Sequence, residues 1–319
     1  MTTILVSAPY MLPSLDRFRP VLERYGMELI TPEVHERLEE DDLLKYAGQF
    51  DGALCGDDRY TFRVLKRCAP RLKVISKWGT GIDSIDADAC EDLGIKLFRT
   101  TNAFTLPVAD TVMGYLLAFA RCQPWMDREM KAGVWKKLPG RALNECTLGI
   151  IGVGNIGKAL TRRARAFGMT IFGNDIIEID HVFVAETDIQ MVPLGVLLSS
   201  CDFISINCDL NPTSQHLINS RTLQLMRKET VLINTARGPI VDEAALVSAL
   251  KAGTIGGAAL DVFEMEPLPA DSPLKKMDNV LLAPHNSNSS PAAWERVHWN
   301  TIKNLMEGLG VAYNENMHV

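Results

Sequence analysis

Short apolar runs alternate with segments of helical periodicity along most of this chain. In the first hundred residues these runs have the length of strands, and Gly, Pro or Asp bounds each of them. The five predicted strands are residues 4–8, 28–31, 52–55, 74–77 and 96–99. Because strands that alternate with helices form parallel sheets covered by helices, this region is predicted to be an α/β domain with a parallel sheet.

A second alternating series begins after Cys146. Its six predicted strands are residues 147–153, 170–174, 203–207, 231–235, 257–262 and 280–283. Six strands separated by helices are typical of a complete doubly wound nucleotide-binding domain. A long apolar helix is predicted before this series, over residues 108–121, and an amphipathic helix after it, over residues 291–309.

Length and charge narrow the classes of function. A chain of 319 residues exceeds what one compact core holds, so two α/β domains are expected. The formal net charge of -6 argues against a nucleic-acid or anionic-membrane partner, since both need a basic surface. No run approaches the ~20 apolar residues of a membrane-spanning helix. The N-terminus also lacks the features of a signal peptide, so we expect a cytoplasmic protein.

The cysteines support the same compartment. There are seven, an odd number, and they show neither C-x-x-C nor Cys/His zinc spacing. Reduced thiols of a cytosolic protein explain this pattern best. No metal site is predicted.

A glycine-rich turn predicts a dinucleotide site. Gly152, Gly154 and Gly157 form a G-x-G-x-x-G motif between a predicted strand and a predicted helix. The first glycine permits the tight turn, the second lets a pyrophosphate approach the backbone, and the third lets the helix pack against the strand. Asp175 ends the next strand, where a carboxylate accepts hydrogen bonds from ribose hydroxyls. Ile176 follows it rather than a cation that would bind a 2′-phosphate, so NAD is favoured over NADP.

Three polar groups follow three later strands, at the edge where open α/β sheets bind ligands. Arg237 is expected to bind a substrate carboxylate and to polarise the adjacent carbonyl. His285 is expected to supply a proton as hydride arrives and to remove it in the reverse direction. Glu266 is expected to orient the imidazole. This set predicts an oxidoreductase that acts on 2-hydroxy and 2-oxo acids.

These residues resemble a known family along essentially the whole chain. The sequence is similar to the D-isomer-specific 2-hydroxyacid dehydrogenases, a family that includes phosphoglycerate dehydrogenase and glyoxylate/hydroxypyruvate reductase. The markers are the glycine motif, NTARG at residues 234–238, VDE at 241–243, LDVFEMEP at 260–267 and PH at 284–285. The resemblance implies an NAD-dependent D-2-hydroxyacid dehydrogenase with Arg237, Glu266 and His285 as the catalytic residues.

The resemblance also implies binding residues and a domain organisation. It implies NAD contacts at Asn155, Ile156, Asp175, Thr235, Ala236 and Asp261. It implies that backbone N–H groups of Gly79, Thr80 and Gly81 bind the substrate carboxylate, a task suited to a glycine-rich turn. Residues 1–101 and 290–319 would form the substrate-binding domain and residues 102–289 the NAD-binding Rossmann domain, with the ligands in the cleft. A homodimer through the apolar helix is expected, without a further regulatory domain.

Several readings stay open from the sequence. Lys77 and Arg59 are candidate contacts for a second anionic group on the substrate, and the alternative for both is a solvated or salt-bridged side chain. The substrate side chain and the physiological direction are also open. The remaining histidines are interpreted as surface residues: His35, His181, His216, His298 and His318. Residues 286–290 (NSNSS) stand where the family has a glycine-rich stretch, which leaves the nicotinamide contacts open.

Two other functions compete with the dehydrogenase. One is an NAD(H)-sensing binding protein that resembles the C-terminal-binding-protein corepressors, which keep this fold for interactions. The other is a related dehydrogenase that acts on formate or phosphite. Stoichiometric NADH oxidation with a 2-oxo acid would distinguish the leading prediction from both.

Overall fold

A computed structural model of the chain describes residues 1–314. The chain divides into two compact units. The first unit comprises Met1–Ala103 and Ser290–Val319, and the second comprises Phe104–Ser289. Residues 315–319, which the predicted substrate-binding domain includes, lie outside the described part. The roles predicted for the two domains stay predictions at this point.

Both units alternate strands and helices. Along residues 1–314 the strands are β1 (Thr2–Val6), β2 (Met27–Ile30), β3 (Gly52–Cys55), β4 (Val74–Lys77), β5 (Lys96–Arg99), β6 (Thr147–Ile151), β7 (Thr170–Asn174), β8 (Gln190–Met191), β9 (Phe203–Ile206), β10 (Val231–Asn234), β11 (Gly257–Leu260) and β12 (Val280–Leu282). The α-helices of the same residues are α1 (Leu15–Arg24), α2 (Glu40–Leu44), α3 (Phe62–Cys68), α4 (Ala87–Asp92), α5 (Thr105–Ala120), α6 (Gln123–Lys131), α7 (Asn155–Ala166), α8 (His181–Thr187), α9 (Leu194–Ser200), α10 (Ser220–Leu223), α11 (Glu243–Ala252) and α12 (Pro291–Leu309).

The first unit is built on a five-stranded parallel sheet in the order β2-β1-β3-β4-β5. The central strands β3 and β4 are buried throughout, as expected of a parallel sheet with both faces covered. The helix α4 was not predicted. It begins at a short capping signal, because the Asp86 carboxylate accepts a hydrogen bond from the Ala89 N–H at 3.0 Å.

The last helix, α12, returns to the first unit and packs along its sheet. A Cβ on Gly308 would lie 2.2 Å from Val74 Cγ2, so the C-terminal end of α12 contacts the beginning of β4 and requires glycine. The Ser76 hydroxyl, further along β4, donates to the Thr301 carbonyl at 2.8 Å. The N-terminal end of α12 therefore lies at the carboxyl edge of this sheet, where the strands end.

The second unit is built on a seven-stranded parallel sheet in the order β12-β11-β10-β9-β6-β7-β8. The chain order reverses between β6 and β9, which is the doubly wound arrangement. The prediction of six strands was wrong by one. β8 comprises two exposed edge residues and is too short to give an apolar run. The apolar helix α5 begins three residues earlier than predicted, and α6 was not predicted.

Each unit has its own apolar core on the faces of its sheet. In the second unit, α5 and α7 bury the side chains of Val112, Leu116 and Leu160 on one face. None of the helices in residues 1–314 is long and apolar enough to cross a membrane.

Candidate functional site

The glycine turn after β6 is closed at two positions and open at one. Gly152 has φ +89°, and a Cβ there would lie 2.6 Å from the Cys208 backbone nitrogen. A Cβ on Gly157 would lie 2.2 Å from the Gly152 carbonyl oxygen. A Cβ on Gly154, in contrast, would meet nothing within 4 Å among the described residues. Two of the glycines are therefore required by packing, and the third leaves backbone open to a ligand.

The helix α7 begins at this turn, with Asn155 and Ile156 in its first turn. Its first backbone N–H groups have no carbonyl partners within the helix, and the helix dipole places partial positive charge there. Such a terminus binds a phosphate group.

Asp175 lies directly after β7, beside the glycine turn. Its Oδ2 accepts a hydrogen bond from the Val153 N–H at 2.7 Å, and its Oδ1 accepts one from the Ile177 N–H at 3.2 Å. These bonds fix the carboxylate at the end of the strand. Ile176 and Ile177 next to it are exposed and apolar, so the adjoining chain offers no cation for a 2′-phosphate.

A buried hydroxyl at the end of β10 gives an independent test of whether a dinucleotide fits. Thr235 is buried, and its Oγ1 has no hydrogen-bond partner among residues 1–314. A buried hydroxyl without a partner is costly, which suits a position that a ligand completes. Together with the open backbone at Gly154 and the terminus of α7, it shows that the residues present fit NAD.

Arg237, Glu266 and His285 follow β10, β11 and β12, which are adjacent strands of the sheet. His285 Nδ1 lies 2.9 Å from Glu266 Oε2. The other carboxylate oxygen, Oε1, accepts a hydrogen bond from the Phe263 N–H at 2.9 Å, so the backbone holds the carboxylate in place. The His285 and Glu266 side chains are about one-third exposed, at 29% and 33%.

Arg237 is held by its own turn. The Asn234 side-chain amide donates to the Arg237 carbonyl at 2.9 Å, and the Ala236 N–H donates to the Asn234 Oδ1 at 3.1 Å. The guanidinium donates to the Ala236 carbonyl at 2.9 Å, and the side chain is half-buried. A Cβ on Gly238 would overlap the backbone of Phe263. This close approach brings the turn after β10 against the loop that leads to Glu266.

Asp261 holds the segment that carries His285. Its side chain is fully buried, and its two carboxylate oxygens accept hydrogen bonds from the N–H groups of Asn286 and Ser287 at 2.7 and 2.9 Å. The His285 N–H donates to the Asp261 carbonyl at 2.7 Å, and His285 has φ +49°. The polar residues that replace the family's glycines are therefore ordered by Asp261. Its predicted contact with NAD stays a prediction.

In the first unit, the turn of Gly79, Thr80 and Gly81 follows β4 at the carboxyl edge. Gly79 has φ +121°, a conformation that side chains rarely adopt. The Gly79 carbonyl accepts from the Thr100 N–H, and the Thr80 hydroxyl donates to the Thr100 carbonyl, both at 2.8 Å. The turn is thus fixed to the chain that follows β5.

Lys77 and Arg59, the candidate contacts for a second anion, are both paired. Lys77 is 3% exposed, and its Nζ lies 3.0 Å from Asp57 Oδ1. The Arg59 side chain is 42% exposed, and its Nε lies 4.0 Å from Glu39 Oε2. The salt-bridged reading therefore describes both side chains, and Lys77 lies beneath the edge rather than on it.

Comparison with known proteins identifies the family. The family described as D-isomer specific 2-hydroxyacid dehydrogenase, NAD binding domain, matches residues 113–287. A glyoxylate reductase of Thermofilum pendens is 39% identical over 273 residues, which are 83% of this chain and 80% of that protein. The chain belongs to this family. It is an NAD-dependent D-2-hydroxyacid dehydrogenase, with NAD as its cofactor.

Two further relatives show the breadth of the likeness. A D-3-phosphoglycerate dehydrogenase of Methanocaldococcus jannaschii is 38% identical over 264 residues, which are 82% of this chain and 50% of that protein. A crystal structure of D-lactate dehydrogenase from Aquifex aeolicus, with NAD and lactic acid, superimposes with a TM-score of 0.86 at 26% identity. It covers 97% of this chain and 96% of that one. The predicted α/β fold with two parallel sheets is thus confirmed.

One histidine of this dehydrogenase was misread. His298 was predicted to be a surface residue, but it is 3% exposed, and its Nδ1 accepts a hydrogen bond from Trp78 Nε1 at 3.0 Å. Burial lowers the pKa of this imidazole below its ordinary value. The surface reading is correct for His35, His181 and His216, which are exposed, and His318 lies outside the described residues.

A second histidine–carboxylate pair lies near the first in sequence and was not predicted. His216 Nε2 lies 2.7 Å from Glu264 Oε1, two residues before Glu266. The Glu264 N–H donates to Glu243 Oε2 at 3.3 Å. Burial raises the pKa of Glu243, and the Glu264 charge adds to this effect. The pair connects the Glu266 loop to two other segments of the second unit.

Asp58 was not predicted either. It is fully buried at the carboxyl edge of the first unit and accepts hydrogen bonds from the Ser7 hydroxyl at 2.5 Å and the Leu38 N–H at 2.6 Å. Burial raises its pKa to about 6, against the effect of these bonds and of the nearby Lys77 charge. A charged residue in a loop is ordinarily exposed, so nothing in the pattern indicates this acid.

Proposed function

We propose that this dehydrogenase interconverts a small D-2-hydroxy acid and its 2-oxo acid, with His285 as the acid and base. The observation that carries the proposal is the 2.9 Å contact between His285 Nδ1 and Glu266 Oε2 at the ends of adjacent strands. An imidazole whose Nδ1–H donates to a carboxylate keeps Nε2 for proton transfer. Both side chains are about one-third exposed, which supports access to a substrate.

NAD, when bound as NADH, supplies the hydride that the carbonyl carbon of the 2-oxo acid receives. His285 Nε2 donates a proton to the carbonyl oxygen, which becomes the hydroxyl group, and solvent reprotonates the imidazole. In the oxidation His285 accepts this proton. Glu266 keeps the imidazole oriented and balances its positive charge in the protonated state.

Arg237 is proposed to bind the substrate carboxylate and to polarise the neighbouring carbonyl. A guanidinium presents a fork of N–H donors that matches a carboxylate in two parallel hydrogen bonds. Its half-buried position strengthens such bonds relative to water. The backbone N–H groups of Gly79, Thr80 and Gly81 are proposed to bind the same carboxylate, because open N–H groups of a glycine turn form an anion site.

The proposed NAD contacts lie at the glycine turn and just after β7, β10 and β11. The N–H groups at Gly154, Asn155 and Ile156 would bind the pyrophosphate. Asp175 would bind the adenosine ribose. Thr235, Ala236 and Asp261 complete the set of proposed contacts.

The chain is also proposed to form a homodimer in a reducing, cytoplasmic compartment. Large apolar side chains are exposed along and after α5 and α6, including Leu106, Met130 and Trp135, the last at 87%. Exposed apolar surface of this kind is typical of an interface. All seven cysteines are free thiols, which supports the compartment. Light scattering that finds only monomers at micromolar concentration would overturn the dimer.

The experiment that tests the function is NADH consumption, followed by absorbance, with a panel of 2-oxo acids, formate and phosphite. We expect turnover with at least one 2-oxo acid and conversion of one NADH per product. Tight NADH binding without turnover on any compound would contradict the proposal and support an NAD(H) sensor. Turnover with formate or phosphite alone would contradict it in favour of a one-carbon or phosphorus substrate.

A further inference from the structure

A lysine whose charge is already balanced lies just beneath the carboxyl edge of the first sheet. Lys77 is the last residue of β4, and its Nζ contacts Asp57 Oδ1 at 3.0 Å and donates to the Trp78 carbonyl at 3.3 Å. Its side chain is almost completely buried. A second anionic group on a substrate would have to displace Asp57 to use this cation, and the displaced carboxylate would lose its partner.

Asp57 lies beside the turn proposed to bind the substrate carboxylate. β3 pairs with β4 so that Cys55 is opposite Lys77, and the Trp78 N–H donates to the Cys55 carbonyl at 2.8 Å. Two residues beyond this pair, one strand continues into Asp57 and the other into Gly79. The Asp57 side chain is 50% exposed. Its negative charge at this position opposes a second negative charge on a bound substrate.

Aromatic rings cover the same edge. Tyr10, which follows β1, lies 5.1 Å from Trp78 and 5.2 Å from Trp294 between ring centroids. Trp78 and Trp294 are 6.0 Å apart. Trp78 precedes Gly79, and Trp294 lies in the first turn of α12. Tyr10 and Trp294 are partly exposed above the buried Trp78, and they provide an apolar surface that suits an uncharged side chain.

An exposed arginine also lies at this edge. Arg99 ends β5, and its Nη1 donates to the Thr80 carbonyl at 3.4 Å with the side chain exposed. Its contact with the turn is to the Thr80 carbonyl oxygen, which accepts hydrogen bonds and does not bind an anion. Arg99 is therefore the residue that a test must separate from Asp57.

We propose that this dehydrogenase selects 2-oxo acids that carry one carboxylate and an uncharged side chain, and that Asp57, paired with Lys77, rejects substrates with a second anionic group. The inference rests on the proposed function, because it assigns a substrate class to the same reaction.

The test compares two substrates of nearly the same shape, 4-methyl-2-oxopentanoate and oxaloacetate, which differ by one carboxylate charge. We expect kcat/KM of the wild type to favour the first by about 100-fold, because like charges placed together cost several kcal/mol. Asp57→Asn removes the repelling charge and unpairs Lys77, so this ratio should fall about tenfold. Thermal unfolding of each variant verifies that it is folded.

The matched control is Asp92→Asn, which removes the same charge from the exposed C-terminal end of α4 in the same unit. Its substrate ratio should equal that of the wild type. A ratio in Asp57→Asn that also equals the wild type would overturn the proposal. If Asp57→Asn does not fold, the wild-type ratio decides alone, and a preference for oxaloacetate overturns the proposal.

A wild-type preference for oxaloacetate that Arg99→Gln abolishes would assign the second anion to Arg99 instead, which also overturns the proposal. Failure of the proposed function looks different from all of these results. In that case neither substrate, nor any other 2-oxo acid, leads to NADH consumption.

Discussion

The carboxyl edges of the two sheets carry charged residues in opposite states. In the second unit, His285 and Glu266 pair with each other and both stay about one-third exposed. In the first unit, Lys77 and Asp58 are buried, and protein groups satisfy both of them. The edge of the second unit offers groups for proton transfer, whereas the edge of the first unit offers backbone groups and charges that are already neutralised.

The difference follows from where each residue stands relative to the end of its strand. Lys77 is the last residue of a central strand that is buried along its whole length. His285 follows the end of β12 by three residues, and Arg237 follows the end of β10 by three. The rule that ligands bind beyond the carboxyl ends of strands therefore selects residues in the loops. It does not extend to a charged residue inside the strand.

The largest loss of activity is expected when the partly exposed histidine of the second unit is replaced. His285→Gln should lower kcat for the best 2-oxo acid by about 10³-fold, because positioned acid–base catalysis contributes ~10²–10⁴-fold. NADH binding, measured by fluorescence titration, should persist, since His285 is not among the proposed NAD contacts. Stopped-flow measurement of NADH consumption at saturating 2-oxo acid gives kcat without a contribution from substrate binding.

The second pair in the same unit provides the control. His216→Gln removes the 2.7 Å contact with Glu264, which is exposed, and exposed pairs contribute only about 0.2–1 kcal/mol. Its kcat should stay near that of the wild type. Equal losses in both variants would show that His285 acts by supporting the loop rather than by transferring a proton.

The buried acid of the first unit, Asp58, should make the stability of the protein depend on pH. The pKa of Asp58 is about 6 in the folded chain and about 4 in an unfolded chain. Between these values the folded state binds more protons, so the free energy of unfolding falls as pH rises from about 4 to about 6. This difference of two between the pKa values corresponds to roughly 3 kcal/mol in the free energy of unfolding. Asp58→Asn should therefore flatten this slope in urea titrations at several pH values.

A buried aspartate of the second unit should respond with the opposite sign. Burial would raise the pKa of Asp202, but its hydrogen bonds from Arg141 and Thr147 outweigh burial and lower the pKa. Its stabilisation is present at neutral pH and is lost as pH falls through its folded-state pKa. Asp202→Asn should thus destabilise the protein at neutral pH. Destabilisation by Asp58→Asn at neutral pH would contradict the conclusion that the buried Asp58 charge lowers stability at that pH.

Most of the fold could be predicted from the sequence because its signals are local. β3, β4, β5 and α12 have the predicted bounds, since each is an apolar run or amphipathic period with clear ends. β8 could not be predicted, because its two exposed residues are too few to show a hydrophobic period. The burial of His298 had a signal that was not used: it shares a helical face with Thr301 and Leu305, which are buried.

The candidate site, like the fold, could be predicted only in part from the sequence. The positions of Arg237, Glu266 and His285 after adjacent strands could be predicted from strand ends alone. The roles of Asp57, Asp58 and Asp261 as partners of other groups could not. Their partners are Lys77, Ser7 and the backbone at residues 286–287, which only the folded chain brings within hydrogen-bond distance.

The glycine turn of the second unit is open at Gly154, whereas the turn of the first unit is conformationally restricted at Gly79. A change at Gly154 is expected to have a smaller effect than the changes above. Gly154 has φ -74°, so alanine fits its backbone, and a Cβ meets no described residue within 4 Å. Gly154→Ala should fold normally but raise the Kd for NADH about tenfold, because the methyl group enters the space of the pyrophosphate. Gly195→Ala, equally open at the start of α9, should not change the Kd. Equal NADH affinity in both variants, by calorimetry, would mean that the open backbone at Gly154 does not approach the pyrophosphate, and the proposed NAD position would be wrong.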